Sequence, residues 1–245
     1  MSGFVDSHCH LDYLARQGDL GAILARARGA GLRAMLTIGT KLREFDLVRG
    51  IAEAHEDVFC SVGIHPHEAA AEDTDVARLV ELAAHPKVVG IGETGLDYFY
   101  DKSPRDAQKA NFRTHLAAAR ATGLPVIVHT RDADADTAAM LDEAAEQGPL
   151  TGVLHCFTSS LELARHALGL GLYISISGIV TFKNAEALRE TVRQIPLDRL
   201  LVETDAPFLA PIPVRGKTCE PAFVVHTAAH VAALKGVSPA ALAEA

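Results

Sequence analysis

The stretch FVDSHCH (residues 4–10) decides how the rest of the chain is read. An apolar pair, Phe4 and Val5, leads into two histidines one residue apart. In a β-strand successive side chains alternate between faces, so His8 and His10 share a face and Cys9 turns away from it. Such pairs also occur on solvated strands, so this run alone leaves a ligand role and a surface role open. Its design recurs in RAMLTIGT (33–40), VFCSVGIHP (58–66), VVGIGETGLD (88–97), PVIVHTR (125–131), GVLHCF (152–157), LYISISGI (172–179) and LLVETDAP (200–207). Between these runs lie amphipathic segments at 19–31, 105–123 and 161–171, each closed by a glycine that acts as a helix stop. Eight strand–helix units in 245 residues fit a (β/α)8 TIM barrel of the α/β class, whereas a doubly wound sheet needs fewer strands. With no linker or low-complexity tract, one domain over residues 1–245 is expected. VSPAALAEA (237–245) opens a helix at Ser238 and Pro239 and then stops, so an incomplete C-terminal helix is expected.

Composition narrows the function. Hydrophobic residues make up 49% and charged residues 22%, which suits a soluble protein with a sizeable core. No long apolar run or basic, apolar leader is apparent, so the expectation is a cytoplasmic monomer that does not meet a membrane. Cys9, Cys60, Cys156 and Cys219 are scattered without C-x-x-C spacing and read as reduced thiols. A net charge of -8 argues against gripping nucleic acid through a broad basic surface, though not against a phosphate substrate held beside divalent cations.

In a TIM barrel the active site sits at the C-terminal ends of the strands. His8 and His10 end the first run, His65 the third, Glu93 the fourth, His129 the fifth, His155 the sixth and Asp205 the eighth. By contrast His55, His85, His115, His166, His226 and His230 fall on helical segments or their ends and read as surface residues. His226 and His230 have zincin spacing, but Thr227 stands where that motif needs glutamate. Four imidazoles and two carboxylates exceed what one ion needs and divide between two. His8, His10, Glu93 and Asp205 are expected to hold one ion and His129 with His155 the other, Glu93 bridging. Ions about 3.5–4 Å apart can share and acidify a water and stabilise a leaving oxygen, and Asp205 is placed to accept that water's proton. Zinc, manganese, nickel and, less readily, magnesium suit this donor mix.

The segments FVDSHCHLD, GIHPH, GETGLDY, PVIVHTRDADAD, HCFTSS, SGIVTFKNA and LLVETDAPFLAP resemble the TatD family of metal-dependent deoxyribonucleases in the amidohydrolase-like superfamily. The resemblance runs from residue 4 to about residue 225. It implies a TIM barrel, two or more divalent ions and hydrolysis of DNA phosphodiester bonds, with metal ligands at His8, His10, Glu93, His129, His155 and Asp205. Where the family commonly carries R-G-K-x-N-E-P, this chain reads RGKTCEP (215–221), with Cys219 in place of asparagine.

Around this core the expectations are finer. His65 is expected as a phosphate contact or proton donor rather than a ligand, the alternative being a structural role behind the ligands; His67 is less determined. Glu203 shares the inward face of the last strand with Asp205 and either binds a third ion or supports the ligands. Arg131, Lys183, Arg215 and Lys217 are expected in loops at the mouth, where they would track a nucleic-acid backbone without reading bases. The substrate expected is DNA, single-stranded or with frayed ends. Aromatic content of 5% and the absence of Trp offer few stacking platforms for bases. The alternative is a hydrolase of a non-nucleic-acid ester or amide, or of an aminoacyl-tRNA, working with the same site.

Overall fold

Each of the eight apolar runs forms a strand in the computed structural model, which describes residues 3–245. The strands are β1 (Phe4–Cys9), β2 (Leu32–Thr37), β3 (Val58–Val62), β4 (Val88–Asp97), β5 (Val126–Arg131), β6 (Gly152–Leu154), β7 (Tyr173–Ile176) and β8 (Leu200–Val202). They pair in parallel, in sequence order, as one sheet. The helices are α1 (Leu11–Gln17), α2 (Leu20–Gly29), α3 (Phe45–Ala54), α4 (Val76–Ala83), α5 (Arg105–Thr122), α6 (Asp134–Glu146), α7 (Leu161–Gly169), α8 (Glu186–Gln194), α9 (Val224–Lys235) and α10 (Pro239–Glu244). This is a single-domain (β/α)8 barrel. The strands read as near-continuous apolar runs because neighbouring helices cover the sheet. None of the described helices is long and apolar enough to cross a membrane.

The helix punctuation is local chemistry. Side chains of Asp19, Asp75, Ser160 and Ser238 accept the N–H groups of Ala22, Arg78, Leu163 and Ala241, satisfying donors the first turn leaves free. At the other end Gly123 and Gly236 take left-handed conformations, φ 71° and 66°, after α5 and α9. Two lysines seal loops at the base of strands. Lys87 Nζ donates to the carbonyls of His55, Glu56 and Val58 between α3 and β3. Lys235 Nζ does the same for Val192, Arg193 and Ile195 after α8.

Closure of the barrel is uneven. Between β1 and β8 the described residues form a single parallel bridge, Cys9 to Ala206, beyond the end of β8. The Asp205 N–H donates to His8 O at 2.9 Å and the His10 N–H to Ala206 O at 2.7 Å. The Ser7 hydroxyl also donates to Val202 O, and the Asp6 carboxylate accepts the Thr204 N–H and hydroxyl, so the first and last strands meet partly through the residues the sequence marks for chemistry.

Two expectations need correction. Glu93 does not end β4, which continues four residues to Asp97. Gly95 makes this possible: at φ 128° its Cα lies so close to β5 that a Cβ would come within 2.0 Å of His129 O. Nor is His115 a surface residue. It is fully buried in α5, where Nδ1–H donates to Asn111 O (2.8 Å) and Nε2 accepts the Ile64 N–H (3.0 Å). That face of α5 packs on β4 and supports the segment leading to His65.

The four cysteines are free thiols. Cys9 Sγ donates to Leu36 O of β2 at 3.4 Å, on the side away from the histidines. Cys219, the departure from the family pattern, is buried with Sγ 4.0 Å from Thr204 O and does not line the mouth.

Candidate metal centre

The C-terminal parts of the strands and the residues just beyond them deliver His8, His10, Glu93, His129, His155 and Asp205 to one place, with Glu93 at its centre. Its two carboxylate oxygens face different neighbours. Oε2 lies 3.4 Å from His8 Nε2. Oε1 lies 2.7 Å from His155 Nε2, 3.2 Å from His129 Nδ1 and 3.3 Å from His65 Nε2. Asp205 Oδ1 is 3.3 Å from His10 Nε2 and 3.7 Å from His8 Nε2. The His8 and His155 rings stack at 3.8 Å, which sets the two donor groups side by side. Asp205 holds φ 57°, a left-handed conformation uncommon outside glycine, and its N–H bond to His8 O fixes the carboxylate between the β1 histidines.

These residues fit divalent cations on their own chemistry. His8 is completely buried, yet neither ring nitrogen has a hydrogen-bond partner, and His10 Nδ1 is equally bare. A buried polar group left unpaired costs about 1–3 kcal/mol. Lone pairs given to a cation remove that cost. Ligand atoms of His8, Glu93 and His155 cluster within 4.8 Å of one another, as do those of His8, His10 and Asp205.

Carboxylates behind the imidazoles set their tautomers. His129 Nε2–H donates to Asp97 Oδ2 at 3.1 Å, leaving Nδ1 as the lone-pair nitrogen facing Glu93. His155 Nδ1–H donates to Glu203 Oε1 at 3.3 Å, leaving Nε2 inward. Such partners fix ring orientation and raise ligand basicity. Glu203 also accepts the Cys156 N–H at 2.8 Å, which ties it to the His155 segment. The sequence reading missed Asp97, although it lies in the quoted GETGLDY segment; a strand taken to end at Glu93 leaves the later residue in a loop.

Charge balance follows from this packing. Burial alone would raise the Glu93 carboxyl, but His155, His65 and His8 outweigh it and hold it well below the usual range. Burial also opposes the ionised forms of Asp97 and Asp205, and the histidines bonded to each overcome it and lower both. His8 is lowered, first by burial and then by His155.

His65 differs from its neighbours. Its atoms lie close to Glu93 and His129 as a third possible ligand group. However, Nδ1 accepts the His67 N–H at 3.1 Å, so the neutral ring carries its proton on Nε2, which faces Glu93 Oε1. Burial lowers its pKa to about 4 and keeps it neutral. A protonated nitrogen is a donor, not a ligand. His67 Nε2–H donates to Asp97 at 2.8 Å.

These residues line a cavity of about 510 Å³ that also takes in Tyr13, Tyr100 and Phe208. Of the four cations expected at the mouth, Arg131 lines it. Lys183 and Arg215 are exposed outside its lining, and Arg215 lies over the Phe182 ring at 3.7 Å. Lys217 lines a separate groove with Arg26 and Glu220, because the loop turns outward before Cys219 is drawn in. Lys41 and Lys102 line the cavity instead; Lys41 directly follows the RAMLTIGT run and was overlooked there, while Lys102 lies five residues beyond the end of β4.

The profile described as TatD related DNase matches residues 5–245. The chain is 46% identical over 243 residues to the uncharacterized metal-dependent hydrolase YcfH of Escherichia coli K12, covering 98% of this chain and 91% of that protein. It is 40% identical over 230 residues to the 3'-5' ssDNA/RNA exonuclease TatD of Rahnella sp., covering 91% and 87%. Among solved structures, the TatD homolog YJJV from E. coli K12 superposes with a TM-score of 0.88 at 29% identity, covering 98% and 93%.

Proposed function

The chain belongs to the TatD family and is a metal-dependent hydrolase, and on that footing we propose that it cleaves phosphodiester bonds at the 3' end of a single DNA strand, or of a frayed duplex, with two divalent ions. The observation that carries this is Glu93, whose two oxygens face two different sets of donors across one open cavity. His8, His10 and Asp205 would hold one ion, His129 and His155 the other, and Glu93 both. Divalent ions held by these residues would supply Lewis acidity toward phosphoryl oxygens and the attacking water. The like activity named for the Rahnella relative supports the substrate class.

The residues divide the remaining work. Asp205, held ionised by His10 and His8, accepts the proton of the attacking water. His65 donates from Nε2 to a phosphate oxygen, an assignment its hydrogen bond from His67 supports. Asp97 and Glu203 keep His129 and His155 in the tautomers that turn lone pairs inward. Arg131 meets the strand's backbone phosphate.

A panel assay tests the proposal. Metal-loaded protein should shorten 5'-labelled single-stranded DNA in single-nucleotide steps, act far more slowly on blunt duplex, and leave p-nitrophenyl acetate nearly untouched. An ester or amide turned over faster than every oligonucleotide would overturn it in favour of a small-molecule hydrolase.

A further inference from the structure

The three most exposed large apolar side chains among the described residues are all aromatic: Phe99 at 55%, Tyr100 at 53% and Phe208 at 50%, of which Tyr100 and Phe208 line the mouth and Phe99 the groove beside it. A protein with so few aromatic residues gains nothing for its fold by leaving these in water. Phe99 and Tyr100 follow directly after β4, and their backbone N–H groups donate to Asp97 Oδ1 at 3.1 and 2.8 Å. The same carboxylate orients His129 through its other oxygen. The pair is therefore pinned to the frame that holds a candidate ligand.

The rings stand at 90° with centroids 4.9 Å apart. Arg131, at the end of β5, lies over both, its guanidinium carbon 4.2 Å from the Phe99 centroid and 5.1 Å from that of Tyr100. Most arginines of this acidic chain are committed to carboxylates, as Arg16 is to Glu44 and Arg28 to Asp57. Arg131 has no such partner among the described residues. Tyr100 and Arg131 line the cavity, while Phe99 and Arg131 line a second open groove that continues from it past Thr158 and Ser160.

We propose that Phe99, Tyr100 and Arg131 form a stacking platform for one base of the substrate strand, next to the reacting phosphate. The inference deepens the nuclease assignment above and rests on it. An aromatic face takes any base, so the platform selects unpaired strands without selecting sequence. A duplex keeps that base stacked within its own helix and cannot present it. Arg131, held flat by the rings, offers its free N–H groups to the phosphate beside that base.

The test is a cycle of protein and substrate changes on single-stranded oligonucleotides carrying one abasic residue, moved in turn through the last four positions. For the unaltered protein, one position should lose about ten- to hundredfold in kcat/KM when its base is removed. For Phe99→Ala with Tyr100→Ala, intact oligonucleotides should lose a similar factor, and removing the base at that position should then cost nothing further. Melting temperatures and metal content of the variants confirm that they are folded and loaded. Losses that multiply at every position would overturn the platform while leaving the nuclease assignment standing. An unaltered protein that cleaves esters but no oligonucleotide would remove both.

Discussion

At the scale of single residues, the proposed metal ligands and the carboxylates behind them each make a testable demand. His8→Ala, His129→Ala and Asp205→Asn are each expected to lose bound metal and turnover together while the barrel stays folded, as read by elemental analysis and circular dichroism. His226→Ala and His230→Ala should be near neutral in both readings. Asp97→Asn keeps every ligand but weakens the acceptor for His129 Nε2–H, so metal affinity or activity should fall about 10–100-fold in a metal titration. His115 supplies a prediction about pH. Burial lowers its pKa to about 4, and the Ile64 N–H occupies the lone pair that a proton would need. An imidazole depressed in the folded state leaves stability intact above its unfolded value near 6.5 and removes it as pH falls towards 4, in total roughly 3 kcal/mol. Urea midpoints at pH 7 and pH 4.5 should show that part of the acid loss shrink in His115→Gln. Residues such as His8, His129 and His155 were legible in sequence because each interrupts an apolar run at its C-terminal end. His115 was not, since its partner Ile64 lies in another unit of the barrel and the helix pattern alone cannot say which face meets it.

At the scale of elements, what the sequence shows best is where strands and helices exist, and what it shows least is where they stop. Eight apolar runs mark the strands, and glycine-closed segments at 19–31, 105–123 and 161–171 mark helices between them. The extent of β4 depends on Gly95 approaching the backbone of His129, a contact between strands that periodicity does not encode. That approach is why Asp97 reaches the site, and why the loop bearing Phe99 and Tyr100 starts there rather than four residues earlier. Lysine seals are equally silent in sequence. Nothing in the sequence sets Lys87 apart, yet its ammonium gathers three carbonyls at the foot of β3. Lys87→Met should lower unfolding free energy by roughly 1–3 kcal/mol, with kcat unchanged, because the bonds lost lie at the opposite end of the strands from the chemistry. Chemical denaturation beside a steady-state assay checks both halves.

At the scale of the whole molecule, an acidic surface and a cation-seeking interior occur in one chain. Cleavage of oligonucleotides should slow as salt rises, since contacts such as that of Arg131 give up counterions, while turnover of a methyl p-nitrophenyl phosphodiester should change little. The sparse join between β1 and β8 bears on the same economy of charge. Seven strand pairs hold one another by ladders; the eighth pair is fastened by the backbones of His8, His10, Asp205 and Ala206 and, beneath them, by the side chains of Ser7 and Asp6, which bond to Val202 and Thr204. The barrel is a hoop, and part of its clasp is also the proposed metal site. Cations seated between His8, His10 and Asp205 would draw the two ends of the hoop together, so chelation should do more than idle the enzyme. Amide exchange at His10 and Asp205 should quicken when the ions are stripped, well before the other ladders loosen, and unchanged exchange there would mean that the clasp shuts without them. A hoop of this kind would report its own loading: the empty protein should be the looser one, and the ring should spring first at the join where its first and last strands meet.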